Sequence, residues 1–177
     1  LNTGEVDVHT VMQAFGLQAE ALAVGGADAL LFETFSDVDE ARLVVRAAKP
    51  TGLPIIVSFA FVRGKNKDLT LMGVNPETAA RAMAEEGVDA VGANCGDGPE
   101  FFPSICRRLK NASGLPVWIK PNAGMPAIEA GWAVYNMEPD AFASYLPALV
   151  EAGASFVGGC CGTSPAFVRA LVRAAGA

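Results

Sequence analysis

The sequence predicts an α/β fold on a parallel sheet, namely the last five strands of a (β/α)8 TIM barrel. Three observations carry this. Short apolar runs recur at residues 29–32, 55–61, 90–93, 117–119 and 155–157, each bounded by Gly or Pro, as strands buried on both faces require. Stretches of helical length and amphipathic pattern alternate with them, at 11–23, 38–48, 77–86, 100–110, 140–151 and 166–175. The repeat is roughly 30 residues, the length of one βα unit, and such alternation implies right-handed parallel crossovers. No Gly-x-Gly-x-x-Gly follows the first strand, so a dinucleotide-binding doubly wound sheet is disfavoured.

The element boundaries are signalled chemically. Pro76, Pro99, Pro139 and Pro165 fit first helical positions, where a missing N–H costs nothing. Ser36, with Asp39 three residues on, reads as the cap of the second helix. Gly25-Gly26, Gly52, Gly87, Gly114 and Gly153 close helices ahead of the next strand. The chain has 177 residues, enough for one domain over 1–177, whereas a full barrel takes about 250. Five strands and six helices fit the C-terminal portion of such a barrel, with the first three strands absent. The opening Leu1-Asn2-Thr3-Gly4-Glu5 reads as the middle of a loop, so a fragment or processed chain is expected.

Composition narrows the function. The net charge is −6, and the 13 Lys and Arg residues form no basic block, which argues against nucleic acid or an anionic membrane as partner. No apolar stretch reaches the roughly 18–20 residues of a membrane span. Four cysteines are too few for a disulfide scaffold, so a reducing cytoplasm is expected.

Barrel enzymes gather functional groups at the C-terminal ends of their strands. Here those ends read Glu33-Thr34, Ser58-Phe59, Asn94-Cys95, Lys120-Pro121-Asn122 and Cys160-Cys161. Three thiols at one sheet edge suit zinc, which favours thiolates and keeps one exchangeable position in catalytic sites. Gly158, Gly159 and Gly162 permit the sharp turn that vicinal Cys160 and Cys161 need to ligate together. Three thiolates on Zn²⁺ leave a net negative centre, poor at making hydroxide but suited to holding an incoming thiol in reactive form. Thiol alkylation therefore fits better than hydrolysis. Packing cysteines, a vicinal Cys160–Cys161 disulfide and a phosphate site at Gly158-Gly159 are the competing readings. Cys106 reads as a packing residue, His9 as a solvated residue ahead of the first helix, and Lys120 as a charged strand end.

The segments Gly158-Gly159-Cys160-Cys161-Gly162-Thr163-Ser164-Pro165, Gly92-Ala93-Asn94-Cys95, Pro121-Asn122-Ala123-Gly124-Met125-Pro126 and Glu33-Thr34-Phe35 together resemble the homocysteine S-methyltransferase domain. The Pro-Asn-Ala-Gly-x-Pro form is closest to the homocysteine-binding domain of cobalamin-dependent methionine synthase and its bacterial relatives. The resemblance implies zinc-bound homocysteine thiolate attacking a methyl group to give methionine. Cys95, Cys160 and Cys161 match the family's zinc ligands. Glu33 matches the carboxylate that holds the homocysteine ammonium, and Asn122 lies in the loop lining the site, its amide oxygen near the open zinc position.

The implied partners are homocysteine, a methyl donor, and a corrinoid (cobalamin) or folate domain or a second chain completing the barrel. Methylcobalamin, methyltetrahydrofolate, S-methylmethionine and S-adenosylmethionine are all open as donor. The family's Gly-rich segment after its first strand, which helps bind the amino acid, has no counterpart in this sequence. A zinc-binding assembly module without turnover, and a phosphate-binding barrel enzyme, are the alternatives. The loop at 63–72 is expected at the barrel mouth.

Overall fold

A computed structural model describes residues 7–176; the opening segment Leu1 to Glu5 lies outside them. The elements run α1 (Val8–Val24), β1 (Leu30–Phe35), α2 (Val38–Ala48), β2 (Ile55–Phe59), α3 (Pro76–Glu86), β3 (Ala90–Cys95), α4 (Phe102–Ser113), β4 (Val117–Pro121), β5 (Ala127–Glu129), β6 (Trp132–Val134), α5 (Pro139–Ala143), α6 (Leu146–Glu151), β7 (Phe156–Val157) and α7 (Pro165–Ala174).

The main sheet has the strand order β1-β2-β3-β4-β7, parallel throughout. Spatial order follows chain order without reversal, as in a barrel and unlike a doubly wound sheet, whose order reverses at a switch point. Among the described residues, β1 and β7 are its two edges, so the sheet is part of a barrel.

Alternation along the strands divides it into two faces. Leu30, Phe32, Val57, Phe59, Val91, Ala93, Val117 and Ile119 join the helices in one core, with Val44 and Val45 of α2, Met83 of α3, and Ile105 and Leu109 of α4. The other face, the barrel interior, carries Glu33, Ser58, Gly92, Asn94, Trp118 and Lys120. Polar residues are thus concentrated on the face that leads to the strand ends.

Boundaries follow the local chemistry, with instructive exceptions. Gly87 and Gly114 terminate α3 and α4 in the left-handed conformation. Asp37, not Ser36, caps α2, its carboxylate accepting from Asp39 N at 2.7 Å and Glu40 N at 3.3 Å. Strand β1 runs to Phe35, so Ser36 sits one residue too early. His9 lies inside the first turn of α1 and is exposed. The helix expected over 140–151 is two helices, because Pro147 lacks the N–H that would bond the Ala143 carbonyl and its ring would clash there. The hairpin β5–β6 is additional; Ala130 and Gly131 both have positive φ, as a type I′ turn requires. Its residues are nearly all exposed, so no buried alternation marks it in the sequence.

Candidate metal centre

Cys95, Cys160 and Cys161 converge, their sulfurs all within 4.8 Å of one another. Cys95 ends β3; Cys160 and Cys161 follow β7 in a turn. Cys95 and Cys160 are half-buried and Cys161 is exposed, so the cluster opens on one side. Cys106 is elsewhere, buried with its sulfur facing the Leu149 and Ala152 carbonyls, and burial raises its pKa to about 11.

Backbone geometry fixes the three thiols. Cys95 has φ +63°, a left-handed conformation that costs a non-glycine residue about 1–3 kcal/mol. It turns the chain off the strand and leaves its carbonyl to accept from Asn122 N at 3.0 Å. Cys160 N donates to Pro121 O at 2.9 Å, and Ala123 N donates to Cys161 O at 2.9 Å. The turn is stapled to the end of β4 on both sides of the pair. Thr163 closes it, its hydroxyl donating to Cys160 O at 2.7 Å. Glycine is obligatory here: a Cβ on Gly159 would lie 2.5 Å from Thr163 Oγ1, and one on Gly162 would collide with the Tyr135 ring.

Asn94, fully buried, organises the sulfurs from below. Its Nδ2 donates to Thr34 Oγ1 at 2.7 Å and lies 3.6 Å from Cys95 Sγ and 3.8 Å from Cys160 Sγ. Its Oδ1 accepts from Ser58 Oγ at 2.8 Å and Thr34 N at 3.0 Å. Thr34 is itself left-handed, φ +70°, at an irregularity in the β1–β2 register between Phe32 and Phe35. Such bulges re-aim side chains at functional sites. The sequence reading did not single out Asn94; its only signal was an amide at a strand end beside a cysteine.

The separations suit zinc. Tetrahedral Zn–S bonds of about 2.3 Å place sulfurs roughly 3.8 Å apart. Cys95 and Cys160 are 3.3 Å apart and Cys160 and Cys161 4.0 Å. Without a cation the cluster is electrostatically frustrated: burial, then the neighbouring Cys160 and Cys161, push the Cys95 thiol up to about 12. Burial opposes ionisation of Cys160 too, but donors from Cys95, Asn94 and the backbone outweigh it and its pKa falls below the usual thiol value. A cation held by all three sulfurs would have to displace the Cys95 proton, so its binding would weaken as pH falls.

The remaining candidates lie around this centre. Asn122, nearly buried, has both ends of its amide on backbone: Nδ2 donates to Gly96 O at 2.8 Å and Oδ1 accepts from Cys161 N at 2.9 Å. It ties the Cys95 loop to the Cys160-Cys161 turn. Glu33 reaches across the inner face to an ion pair with Lys120. The loop at 63–72 lies along the same rim: Lys67 pairs with Asp97 at 2.7 Å, two residues beyond Cys95, and Thr70 Oγ1 donates to Ser36 O at 2.7 Å. A cavity of about 410 Å³ lined by Phe15, Glu33 and Thr34 opens at the β1 edge. None of the cysteines lines it, but Thr34 connects it to Asn94 beneath the sulfurs.

Comparison with known proteins agrees with this geometry. The family model for homocysteine S-methyltransferase matches residues 2–175. The chain is 36% identical over 176 residues to methionine synthase from Mycobacterium tuberculosis, covering 97% of this chain and 15% of that protein. It is 31% identical over 159 residues to homocysteine S-methyltransferase 4 from Zea mays, covering 88% of this chain and 46% of that one. The chain therefore spans less than half the length of these curated relatives.

Among solved structures, the apo form of the homocysteine methyltransferase MmuM from Escherichia coli superposes with a TM-score of 0.77 at 25% identity, covering 97% of this chain and 59% of that one. The metallated form gives 0.69 at 27% identity, covering 90% and 51%. Motif order, strand-end geometry and these likenesses agree: the chain belongs to the homocysteine S-methyltransferase family.

Proposed function

We propose that this chain carries the metal half of a homocysteine-methylating site, in which Cys95, Cys160 and Cys161 hold one zinc ion. The observation that carries the reading is the convergence of three sulfurs from two strand ends, stapled through Asn122 and Asn94. The metallated form of the MmuM neighbour supports a metal-binding role. Zinc in such a cluster supplies a Lewis acid that keeps an incoming thiol deprotonated near neutral pH.

The chain's own residues do the rest. Asn94 orients two sulfurs with one amide group. Asn122 holds the two cysteine-bearing loops in register. Glu33, 44% exposed at the end of β1, offers a carboxylate to the substrate ammonium. The reaction is transfer of a methyl group from its donor to the homocysteine sulfur, giving methionine. The donor is open among methylcobalamin, methyltetrahydrofolate, S-methylmethionine and S-adenosylmethionine, and would be presented by a partner domain or chain. The methionine synthase relative, a far longer protein, supports that arrangement. Free thiols at a half-exposed centre suit a reducing, cytoplasmic compartment.

A phosphate cradle at Gly158-Gly159 is disfavoured, because most backbone amides of this turn are occupied. The amides of Gly158, Cys160, Cys161 and Thr163 are already committed to Ile119 O, Pro121 O, Asn122 Oδ1 and Cys160 O. The test is elemental analysis combined with methionine formation from homocysteine and methylcobalamin, using this chain within its native polypeptide. Zinc near one equivalent with methionine produced is expected. Zinc without turnover would leave a metal-binding module, and no zinc would sink the reading.

A further inference from the structure

We propose that Tyr135 is a positioning residue for the third sulfur: its phenol donates to Cys161 and shields that thiolate from the methyl donor. The inference rests on the reading above and adds a residue to it.

The three sulfurs are not supported alike. The Asn94 amide lies 3.6 Å from Cys95 Sγ and 3.8 Å from Cys160 Sγ, and both cysteines are half-buried. Cys161 is exposed and lies outside that amide's contacts. Its main chain is held on both sides, N by Asn122 Oδ1 and O by Ala123 N, each at 2.9 Å. Those bonds fix the backbone and leave the sulfur in need of a donor of its own.

Tyr135 stands beside it. The residue follows β6, at the return of the exposed hairpin. A Cβ on Gly162 would overlap Cγ of the Tyr135 ring, and Gly162 itself has φ +78°. The ring therefore lies against the backbone directly after Cys161. It also packs against the cluster that contains Ala123, Phe142, Leu146 and Phe167. Held by both contacts, the phenol comes within hydrogen-bonding reach of the Cys161 sulfur. Burial, and then Cys161, raise the phenol above its ordinary pKa. It keeps its proton at neutral pH, and towards a thiolate it can only donate.

The chemistry gives this hydrogen bond a task. A methyl donor able to alkylate a substrate thiolate can also alkylate a protein thiolate, and Cys161 is the exposed one. There the sulfur lone pair would form an S–CH3 bond while the bond from methyl to its carrier breaks, its electron pair staying with the carrier. The product is a thioether, which has lost the charge that suits it to a cation. A hydrogen bond occupies a sulfur lone pair and lowers the basicity of the thiolate, and nucleophilicity falls with basicity. Cys161 is thereby kept less reactive than an incoming thiol that meets no phenol.

The test uses Tyr135→Phe, which keeps the ring on Gly162 and removes only the O–H. The zinc-loaded native polypeptide is treated with methyl iodide, which transfers its methyl group to sulfur and releases iodide. Methylation at each cysteine is followed by peptide mass spectrometry. Tyr135→Phe should raise the rate at Cys161 about three- to ten-fold, as loss of one hydrogen bond implies. Rates at Cys95 and Cys160, zinc content and melting temperature should hold. The cobalt(II) form of the variant should show its thiolate absorption at longer wavelength, because the sulfur lone pairs lose a stabilising proton. An unchanged rate at Cys161, an unmoved band, or an equal rise at all three cysteines would overturn the inference and leave the methyltransferase reading standing. Wild-type protein that binds no zinc would overturn both.

Discussion

The two faces of the sheet are built to opposite rules. The helix-packed face is apolar, regular and joined by ion pairs that reinforce packing. Arg46 and Arg42 converge on Glu86, whose side chain is 8% exposed, and so lock α2 to α3. The thiol rim is polar and strained. Two non-glycine residues there, Thr34 and Cys95, are left-handed, and three sulfurs are crowded together. Strain and crowding persist only where surrounding contacts over-determine them. Here the contacts are the bonds of Asn94 and Asn122. The first face contributes stability, and the second uses some of it to hold three sulfur donors close together.

Substitutions should therefore separate stability from metal binding. The largest effect is expected at the rim: Cys160→Ser should reduce zinc to a small fraction of an equivalent, measured by elemental analysis, while the melting temperature of the metal-free protein barely moves. Leu109→Ala, on the packed face and fully buried, should cost about 2–5 kcal/mol by denaturant unfolding and leave zinc stoichiometry intact. Loss of metal in that variant at a temperature where it is folded would blur the comparison.

Asn94→Ala belongs to both regions. It should lower zinc affinity by roughly 10–100-fold, as loss of a residue orienting metal ligands does, read by chelator competition. An unaltered affinity would remove Asn94 from the centre.

The smallest effect is a pH dependence of the packed face. Arg46 first, and then Arg42, hold Glu86 down from 4.5 to about 2. A depressed carboxylate stabilises the fold above its unfolded pKa and loses that contribution as pH falls through the folded one. Stability should therefore decline between about pH 4.5 and 2. With Arg46 half exposed, screening leaves about 1–2 kcal/mol. Glu86→Gln should flatten this part of the stability–pH curve, measured by urea titration.

The regular face was the more legible in the sequence. Apolar runs buried on both sides, prolines at helix starts and glycines at helix ends are local signals, and the parallel order follows from them. The three converging cysteines were legible because cysteines at strand ends are rare and chemically specific. What depends on long-range contact was not. Nothing local shows that Thr34 turns left-handed, that the Asn94 amide lies beneath two sulfurs, or that Lys120 meets Glu33 across 87 positions of chain. Asn122 was read through its loop, whereas its amide joins the two cysteine-bearing segments through their backbones. The β5–β6 hairpin escaped because its residues are exposed and its turn is Ala-Gly, without the usual Asn or Asp.

The central claim, one thiolate metal centre with an open position, is tested most directly by titrating the metal-free protein with cobalt(II) and then homocysteine. The account predicts saturation at one equivalent with intense thiolate-to-cobalt absorption and a tetrahedral ligand-field spectrum. That absorption should rise further when homocysteine adds a fourth sulfur. Saturation without thiolate absorption, or a spectrum indifferent to homocysteine, would contradict it.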